Sequence, residues 1–468
     1  MIYVYQYRLY PTPSQTLELN DWLRVCQYWY NRQLGERFDW WDMNRCYIDR
    51  CPLISSVADL KVKPTQYGQQ GQLPGLKKDY QFVRSSSELL DFSRVPANTL
   101  QAICKQVETS FKRFTAGDKN GKRSGKPRFK NRARFRTLNF TGSQKGKFSS
   151  IGYFGAFVIT KKLGELKVRM HRPLPDGATL KTSSVTKKAD GWYLNVTLDD
   201  PSVPEPVTEV STWDNSLGID AVLKGDDYLA LSTGDKLPSL KPLRKSTESL
   251  TKVSQAKSSA KRGSRKRRKL ARREAGIHQK IARQRKQHRY ETAHSVVNTG
   301  AKNIFVEKLN LAGLKKRNKV KQDDTGKFLP NGQASKSGLN KSWSDAAFGM
   351  FLDTLSVVAS KAGASVHKVN PAYTSKVLCY RNIVAFDSLS AREYRDTELG
   401  LTVDRDINAA LNIKQRGLQV FPVPKKASKR KGIKIVRDLE RSTVTAMVDV
   451  FRRIDQAHTT ASVYCVVT

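Results

Sequence analysis

The sequence predicts a multidomain protein, α+β in its N-terminal part and α/β in its C-terminal part. Three observations lead there. A chain of 468 residues exceeds one ordinary domain and suffices to bury a sizeable core. Short alternating apolar runs flank a helical stretch before Pro201. Beyond the proline-bearing linker Pro201–Pro206, strand-like runs alternate with long helical segments.

Ile2–Tyr10 reads as a strand with Tyr3, Tyr5, Tyr7 and Leu9 on one face. Thr12 and Pro13 start a helix in which Leu19, Leu23, Cys26, Tyr30 and Leu34 recur at helical spacing. A second helix is expected over about 98–114, presenting Ile103, Val107, Phe111 and Phe114 together. Residues 14–115 are therefore expected to form a helical lobe with a loose loop around 61–85. The runs Ala156–Lys161, Glu165–Met170 and Trp192–Asp199 predict further strands, the first two joined by the turn Lys161–Gly164. With the N-terminal strand they suggest a small β-barrel. After the linker, Ser216–Val222 and Tyr228–Ser232 predict adjacent strands, followed by a long helical stretch to about Asn298. A buried strand Asn303–Leu309, an amphipathic helix Ser342–Ala362, a strand Ser365–Asn370 and a helix Asp404–Arg416 complete the pattern. The tail beyond Gly417 begins basic (Lys425, Lys426, Lys429, Arg430, Lys431) and is expected to be unfolded or loosely docked.

Lys and Arg number 84 against 42 Asp and Glu, a formal charge of +42. A compact particle with such self-repulsion normally meets a polyanion, nucleic acid first and an anionic membrane surface next. No run of about 18 apolar residues exists, so no spanning helix is expected. The N-terminus alternates like a strand and lacks the pattern of a signal peptide, which points to the cytosol. Two segments concentrate the charge. Gly121–Arg136 interleaves basic residues, among them Arg128, Lys130 and Arg132, with Phe129 and Phe135, a composition suited to backbone contacts and base stacking. Its alternative is a solvated loop. Between Lys241 and Arg289 stand 19 Lys and Arg but only Glu248 and Glu274. The dense part holds Arg262, Arg265, Lys266, Arg267, Arg268, Lys269, Arg272 and Arg273. Like charges this close destabilise a helix unless phosphates neutralise them. Such contacts position a nucleic acid without reading its sequence. A solvated face or a nuclear-localisation signal is the alternative here.

Six cysteines include no C-x-x-C pair, so no structural zinc is expected. Cys26 and Cys104 fall on apolar helix faces and read as buried thiols, while Cys46 and Cys51 lack a second ligand pair nearby.

Three acids carry the chemistry. Asp220 follows the apolar strand residues Leu217-Gly218-Ile219, Glu307 follows Ile304-Phe305-Val306, and Asp406 opens the last helix. Cleavage of a phosphodiester by two hard cations needs carboxylates on rigid elements. Singly, each acid has a plainer use: ending a strand, pairing a lysine or charging a helix start. Their order, with a strand hairpin after the first and a helix carrying the last, is that of a ribonuclease-H-like nuclease core.

The segments Leu217-Gly-Ile-Asp220, Ile304-Phe-Val-Glu307-Lys-Leu-Asn-Leu311 and Asp404-Arg-Asp-Ile-Asn-Ala-Ala-Leu-Asn-Ile413 resemble the three RuvC motifs of the TnpB family, RNA-guided DNA endonucleases encoded by insertion sequences. Tyr7-Arg-Leu-Tyr-Pro11, Gly125-Lys-Pro-Arg-Phe-Lys130, Ser342-Trp343 and Pro371-Ala-Tyr-Thr-Ser375 extend the resemblance to about Val423. It implies a wedge-like β-barrel (1–13 and 116–206), an inserted helical recognition lobe (14–115) and a RuvC nuclease domain (207–371 and 403–420). It further implies a zinc-ribbon or target-binding insert (372–402), followed by the basic tail (421–468). By position, Asp220, Glu307 and Asp406 become the catalytic ligands of two Mg²⁺ ions, Asp406 being preferred to Asp404 because it lies two residues before Asn408. A guide RNA from the element's own end and double-stranded target DNA, cut beside a short transposon-adjacent motif, are the implied partners of a monomer acting in a prokaryotic cytoplasm. The family's four zinc cysteines are replaced by Leu378, Arg381, Asp396 and Leu399, with Cys379 one position out of register, so either a metal-free ribbon held by Leu378, Leu399 and neighbouring Val377 or a collapsed one is expected. Two alternatives stay open: a guided DNA binder without nuclease activity, serving as repressor or transposon-targeting factor, and a transposase.

Overall fold

A computed structural model describes residues 1–50, 62–84, 86–118, 120–203, 209–223, 225–388, 391–421 and 439–466, without the side chains of 45–50 and 458–466. Cys51, the end of the expected linker at 204–206 and the basic run at 425–431 lie outside the described residues, as does the side chain of Cys46. The chain divides into two compact units, Met1–Ser202 and Val203–Thr468.

The first unit is built on an antiparallel sheet of seven strands: β1 (Ile2–Tyr10), β2 (Thr137–Phe140), β3 (Lys147–Ser150), β4 (Phe154–Val158), β5 (Glu165–Arg169), β6 (Thr179–Lys188) and β7 (Gly191–Asp199). Their order is β2-β6-β7-β1-β5-β4-β3. β1 pairs with β7 from Ile2 opposite Asp199 to Leu9 opposite Trp192, and its end continues onto β5. Tyr3, Tyr7 and Leu9 meet Leu198, Leu194 and Trp192 on the buried face, as the two-residue period requires. The edge strands β2 and β3 are not paired with each other, so the hydrogen bonding among the described residues leaves the sheet open rather than closed as a barrel. β2, β3 and β6 were not legible in the sequence. β6 reads Thr-Leu-Lys-Thr-Ser-Ser-Val-Thr-Lys-Lys, and only Leu180 and Val185 carry its apolar signal.

Helices α1 (Pro13–Arg50) and α2 (Ala97–Thr115) pack together in the same unit, burying Trp22, Trp29 and Leu34 with Leu100, Ile103, Val107 and Phe111. Cys26 and Cys104 are buried free thiols. The expected loose loop contains a short helix at Gln66–Gly71 and a strand Gln81–Val83 paired with Glu88–Leu90. Thr65 caps that helix by accepting from the Gly68 N–H, a local signal that the polar composition hid.

The second unit holds a five-stranded sheet of β8 (Ser216–Ala221), β9 (Asp227–Leu231), β10 (Lys236–Pro238), β11 (Asn303–Glu307) and β12 (Ser365–Val369), in the order β10-β9-β8-β11-β12. The first three run antiparallel and β8, β11 and β12 run parallel. Leu217, Ile219, Ile304 and Val306 enter one core with residues of α4 (Arg265–Val297) and α6 (Phe348–Lys361), notably Ala293, Val296, Phe351 and Leu355.

Two expected single helices are each broken. The basic stretch forms α3 (Thr247–Ser259) and α4, separated by a turn in which Gly263 has φ +81° and Ser264 caps α4. The 342–362 stretch divides into α5 (Gln333–Ala346) and α6 at Ala347, whose φ is +51°. There the buried Asp345 accepts from the backbone N–H groups of Leu243 and Arg244 and pairs with Arg285 at 2.8 Å.

The opposite face of the sheet carries α7 (Arg405–Gly417). Helix and sheet approach closely because Gly218 presents no side chain; a Cβ there would overlap the carbonyl oxygen of Ala410. Between β12 and α7 the chain forms a hairpin of β13 (Glu393–Asp396) and β14 (Leu401–Asp404). The expected loose tail is instead a helix in its described part, α8 (Arg441–Val466). Met447, Val448, Val450 and Phe451 bury themselves against Leu378, Cys379, Tyr380, Ile407 and Leu411. Val444, Met447, Val448, Phe451 and Ile454 fall at helical spacing, so the signal was present in the sequence. No helix among the described residues is long and apolar enough to cross a membrane.

Candidate active site

The sheet's alternation brings the three acids together. Gly218 faces α7, so Asp220, two residues on, faces it as well; Phe305 touches Gly417 of α7, which places Glu307 on the same side. Asp220 and Glu307 lie one residue beyond the paired Ile219 and Val306, on neighbouring parallel strands. Asp406 stands in the first turn of α7.

Their electrostatics are mutually unfavourable. Burial, then the charges of Glu307 and Asp406, hold the Asp220 carboxyl well above the usual carboxylate range. Burial pushes Glu307 up to about 7 against a hydrogen bond from the Thr374 hydroxyl at 3.4 Å. Asp406 is raised by burial and by Asp404, and Arg392 opposes that rise with an Nη1 to Oδ1 contact of 3.1 Å. Asp404 has a different occupation. Its carboxylate accepts from the N–H groups of Asp406 at 2.9 Å and Ile407 at 3.0 Å, capping α7, and it pairs with Lys236 at 2.6 Å.

Buried side chains lock this helix to the segment 374–379 that precedes β13. Asn408 accepts from the Cys379 N–H and donates to the Val377 carbonyl, both at 2.8 Å. Asn412 donates to the carbonyls of Thr374 and Val377, and Gln415 to that of Cys379. In the sequence Asn408 marks only the register of the motif. Arg392 is a lone arginine in a polar stretch, with no pattern to mark it. Thr374 lies within a motif of the sequence that gives it no role.

Mutually repelling, buried carboxylates are a donor set that hard divalent cations relieve. Among the described residues no group of three or more His, Cys, Asp or Glu is disposed around one ion position. What fits a divalent cation is the chemistry of the acids themselves, with Glu307 raised to about 7 and Asp220 well above its ordinary range, chiefly by burial.

The candidate nucleic-acid contacts divide. Arg262, Arg265, Lys266, Arg268, Lys269, Arg272 and Arg273 are exposed on the α3–α4 turn and on α4. Arg267 is half-buried and donates to the carbonyls of Lys257 at 2.7 Å and Ala260 at 3.0 Å, closing the C-terminus of α3. In the first unit Arg128 and Phe129 are exposed. Lys130 lies half-buried over the ring of Tyr30 at 4.1 Å, and Arg132 pairs with Glu88 at 2.5 Å. Phe135, read from the sequence as a stacking ring, is 6 % exposed and belongs to the core.

The four positions read from the sequence as replacements for zinc ligands also part company. Leu378 is buried in the core beneath α8. Arg381 reaches Asp396 at 3.5 Å and Glu398 at 3.0 Å, while the buried Asp396 accepts from the Tyr380 hydroxyl at 2.9 Å. Leu399 is exposed, and its N–H donates to Asp396 at 3.2 Å.

Three family models match the chain. One described as "Probable transposase" (OrfB of IS605) covers residues 195–318, a "Helix-turn-helix domain" of the same OrfB proteins covers 1–46, and a "Cas12f1-like, TNB domain" covers 348–413. A protein of Streptomyces pristinaespiralis described as "Putative RNA-guided DNA endonuclease" is 26% identical over 418 residues, covering 88% of this chain and 89% of its own length. The Escherichia coli K12 protein "Putative RNA-guided DNA endonuclease InsQ" is 23% identical over 419 residues, covering 89% of this chain and 92% of its own. The solved "Cas12f1-sgRNA-target DNA complex" contains a chain with a TM-score of 0.49 and 12% identity, matched over 85% of this chain and 82% of that one.

Proposed function

The chain belongs to the TnpB family, and from that premise we propose that it is an RNA-guided DNA endonuclease of a transposable element. It cleaves double-stranded DNA next to a short transposon-adjacent motif. The observation that carries this reading is the convergence of Asp220, Glu307 and Asp406, drawn from two parallel strands and a helix, on one buried face where burial raises all three carboxyls and the charges of Glu307 and Asp406 disfavour that of Asp220. A protein that only binds phosphates has no physical need of buried acids beside them.

Asp220, Glu307 and Asp406 would hold two Mg²⁺ ions, which when bound activate the attacking water and stabilise the leaving oxygen. The chain's own residues prepare that site. The Asp404 cap fixes the start of α7 and so the position of Asp406, Thr374 donates to Glu307, and Arg392 pairs with Asp406. On this reading the five-stranded sheet with α7 is the ribonuclease-H-like RuvC domain (207–371 and 403–420), and 372–402 is its zinc-free insert. The first unit combines the recognition lobe (14–115) with the wedge (1–13 and 116–206) as far as Ser202. Sequence is read by pairing with the guide RNA, while protein contacts follow backbone and shape. Exposed cations of α4 are suited to the RNA scaffold. The working species is one protein chain with one RNA, acting in a prokaryotic cytoplasm.

The test is to purify the protein with the RNA expressed from its element and to supply a matched duplex target in Mg²⁺. Cleavage is expected, and Asp220→Ala should abolish it while binding persists. A wild-type complex that binds the matched target and leaves it intact would identify a guided binder instead. Strand-joined products with element ends would identify a transposase.

A further inference from the structure

One outward face of the seven-stranded sheet carries no role in this reading, yet it is built in a particular way. Strand register aligns Arg8 on β1 with Arg169 on β5 and Phe154 on β4, and the next outward row aligns Tyr10 with Lys167 and Ala156. Leu9, Val168 and Gly155, between these rows, point inward and are buried. The outward rings are exposed, Tyr10 by 43 %, Phe154 by 45 % and the adjoining Tyr153 by 66 %. They touch one another, Tyr153 and Phe154 at 5.0 Å and Tyr10 and Phe154 at 6.0 Å between centroids.

Cations are interleaved with these rings. Lys167 Nζ sits 4.3 Å from the Phe154 centroid, and Arg169 lies 5.6 Å from that of Tyr153 while donating to its hydroxyl at 3.1 Å. Arg8 is paired with Asp190 at 2.8 Å, but Lys167 and Arg169 form no ion pair with a described residue. Glu165 is the one acid in the same row, at the far end of β5. Exposed π faces beside unpaired cations complement a ligand that offers both flat rings and negative charge. A nucleic acid with unstacked bases has both. An apolar protein partner would leave the two cations buried without counter-charge.

We infer that Tyr10, Tyr153 and Phe154, with Lys167 and Arg169, form a stacking platform for unpaired nucleotides of the guide RNA. The inference rests on the RNA-guided reading for the identity of the RNA. The platform itself is tested separately, on the full-length protein with two RNA probes, the cognate RNA and an oligouridine 12-mer, and with an oligothymidine 12-mer as the DNA control. Tyr153→Ala/Phe154→Ala should weaken both by roughly ten-fold or more, the scale expected for losing base stacking. Tyr153→Leu/Phe154→Leu should not restore affinity, because it returns apolar area without π faces. Unchanged circular dichroism and thermal midpoint would show that the exposed substitutions leave the fold intact. Photocrosslinking of the wild-type complex should map RNA adducts to Tyr153 or Phe154.

Unchanged affinity for both probes in the double alanine variant would overturn the platform, and restoration by leucine would replace it with an apolar docking face. Loss of affinity for a DNA oligonucleotide with none for cognate RNA would reassign the face to a DNA strand and overturn the proposal. Guided cleavage that survives with RNA affinity unaltered sinks the platform alone. Absence of any discrete copurifying RNA, with oligouridine binding still lost in the variant, sinks the guided reading alone.

Discussion

Glu307 is held up to about 7 from an ordinary value near 4.5, with burial the first cause. Between those values the folded protein keeps a proton that the unfolded chain has released. Stability therefore falls as pH rises through that window and is lowest above 7, with a decline on the order of 2–3 kcal/mol from this group. Asp220, raised for the same reason, adds in the same direction. Denaturant unfolding in EDTA at pH 5 and pH 8 should show the wild type weaker at the higher pH, and Glu307→Gln should flatten much of the difference. Adding Mg²⁺ at pH 8 should recover stability in the wild type and much less in the variant. The acids themselves were legible because each follows an apolar strand or opens a helix. Arg392, Thr374 and the buried amides of Asn408 and Asn412 were not, because their meaning depends on which distant backbone groups they meet.

Elements were legible where the apolar period was strong and opaque where polar side chains dominated. β1, β8 and β11 read clearly, whereas β6 is largely Thr, Ser and Lys and gains its order from pairing with β7 over its length. The break at Ala347 left no trace, since an alanine with φ +51° violates its own preference to serve the tertiary structure. The helix α8 was hidden because the basic run ahead of it suggested disorder for the whole tail. Phe451 is 0 % exposed in the core that also contains Leu378 and Leu411. Phe451→Ala should lower unfolding stability by about 3–5 kcal/mol, measurable as a shift in denaturant midpoint. A variant ending before Arg441 should bare that core and aggregate. No loss of stability in either variant would mean that α8 is an appendage.

At the scale of the molecule, the +42 charge announced a polyanion without saying where it lies. The structure sorts the basic residues by occupation: Arg267 ties α3 to α4, Lys130 and Arg132 brace the first unit, and the α4 cations Arg265, Lys266, Arg268 and Lys269 face solvent. Arg265→Glu/Lys266→Glu/Arg268→Glu/Lys269→Glu should weaken RNA binding and reduce the slope of log affinity against log salt by roughly 0.7–0.9 for each phosphate no longer neutralised. Arg267→Ala should instead lower thermal stability and leave the slope nearly unchanged. Equal slopes in wild type and the four-fold variant would remove α4 from the interface. The open edges of the first sheet, by contrast, were read from the sequence as a closed barrel, because edge pairing depends on strand ends and bulges that periodicity does not record.

The seat of α7 on the sheet has one more implication. At Gly218 the helix rests main chain against main chain, on the carbonyl of Ala410, with no side chain between. The gap between Asp220 and Asp406 is thereby gauged by a hard stop rather than by compressible packing. Core volumes elsewhere can change and be absorbed by repacking while that gauge holds. A methyl group at Gly218 would act as a shim under the helix, lifting one acid away from its neighbours without altering any of the three.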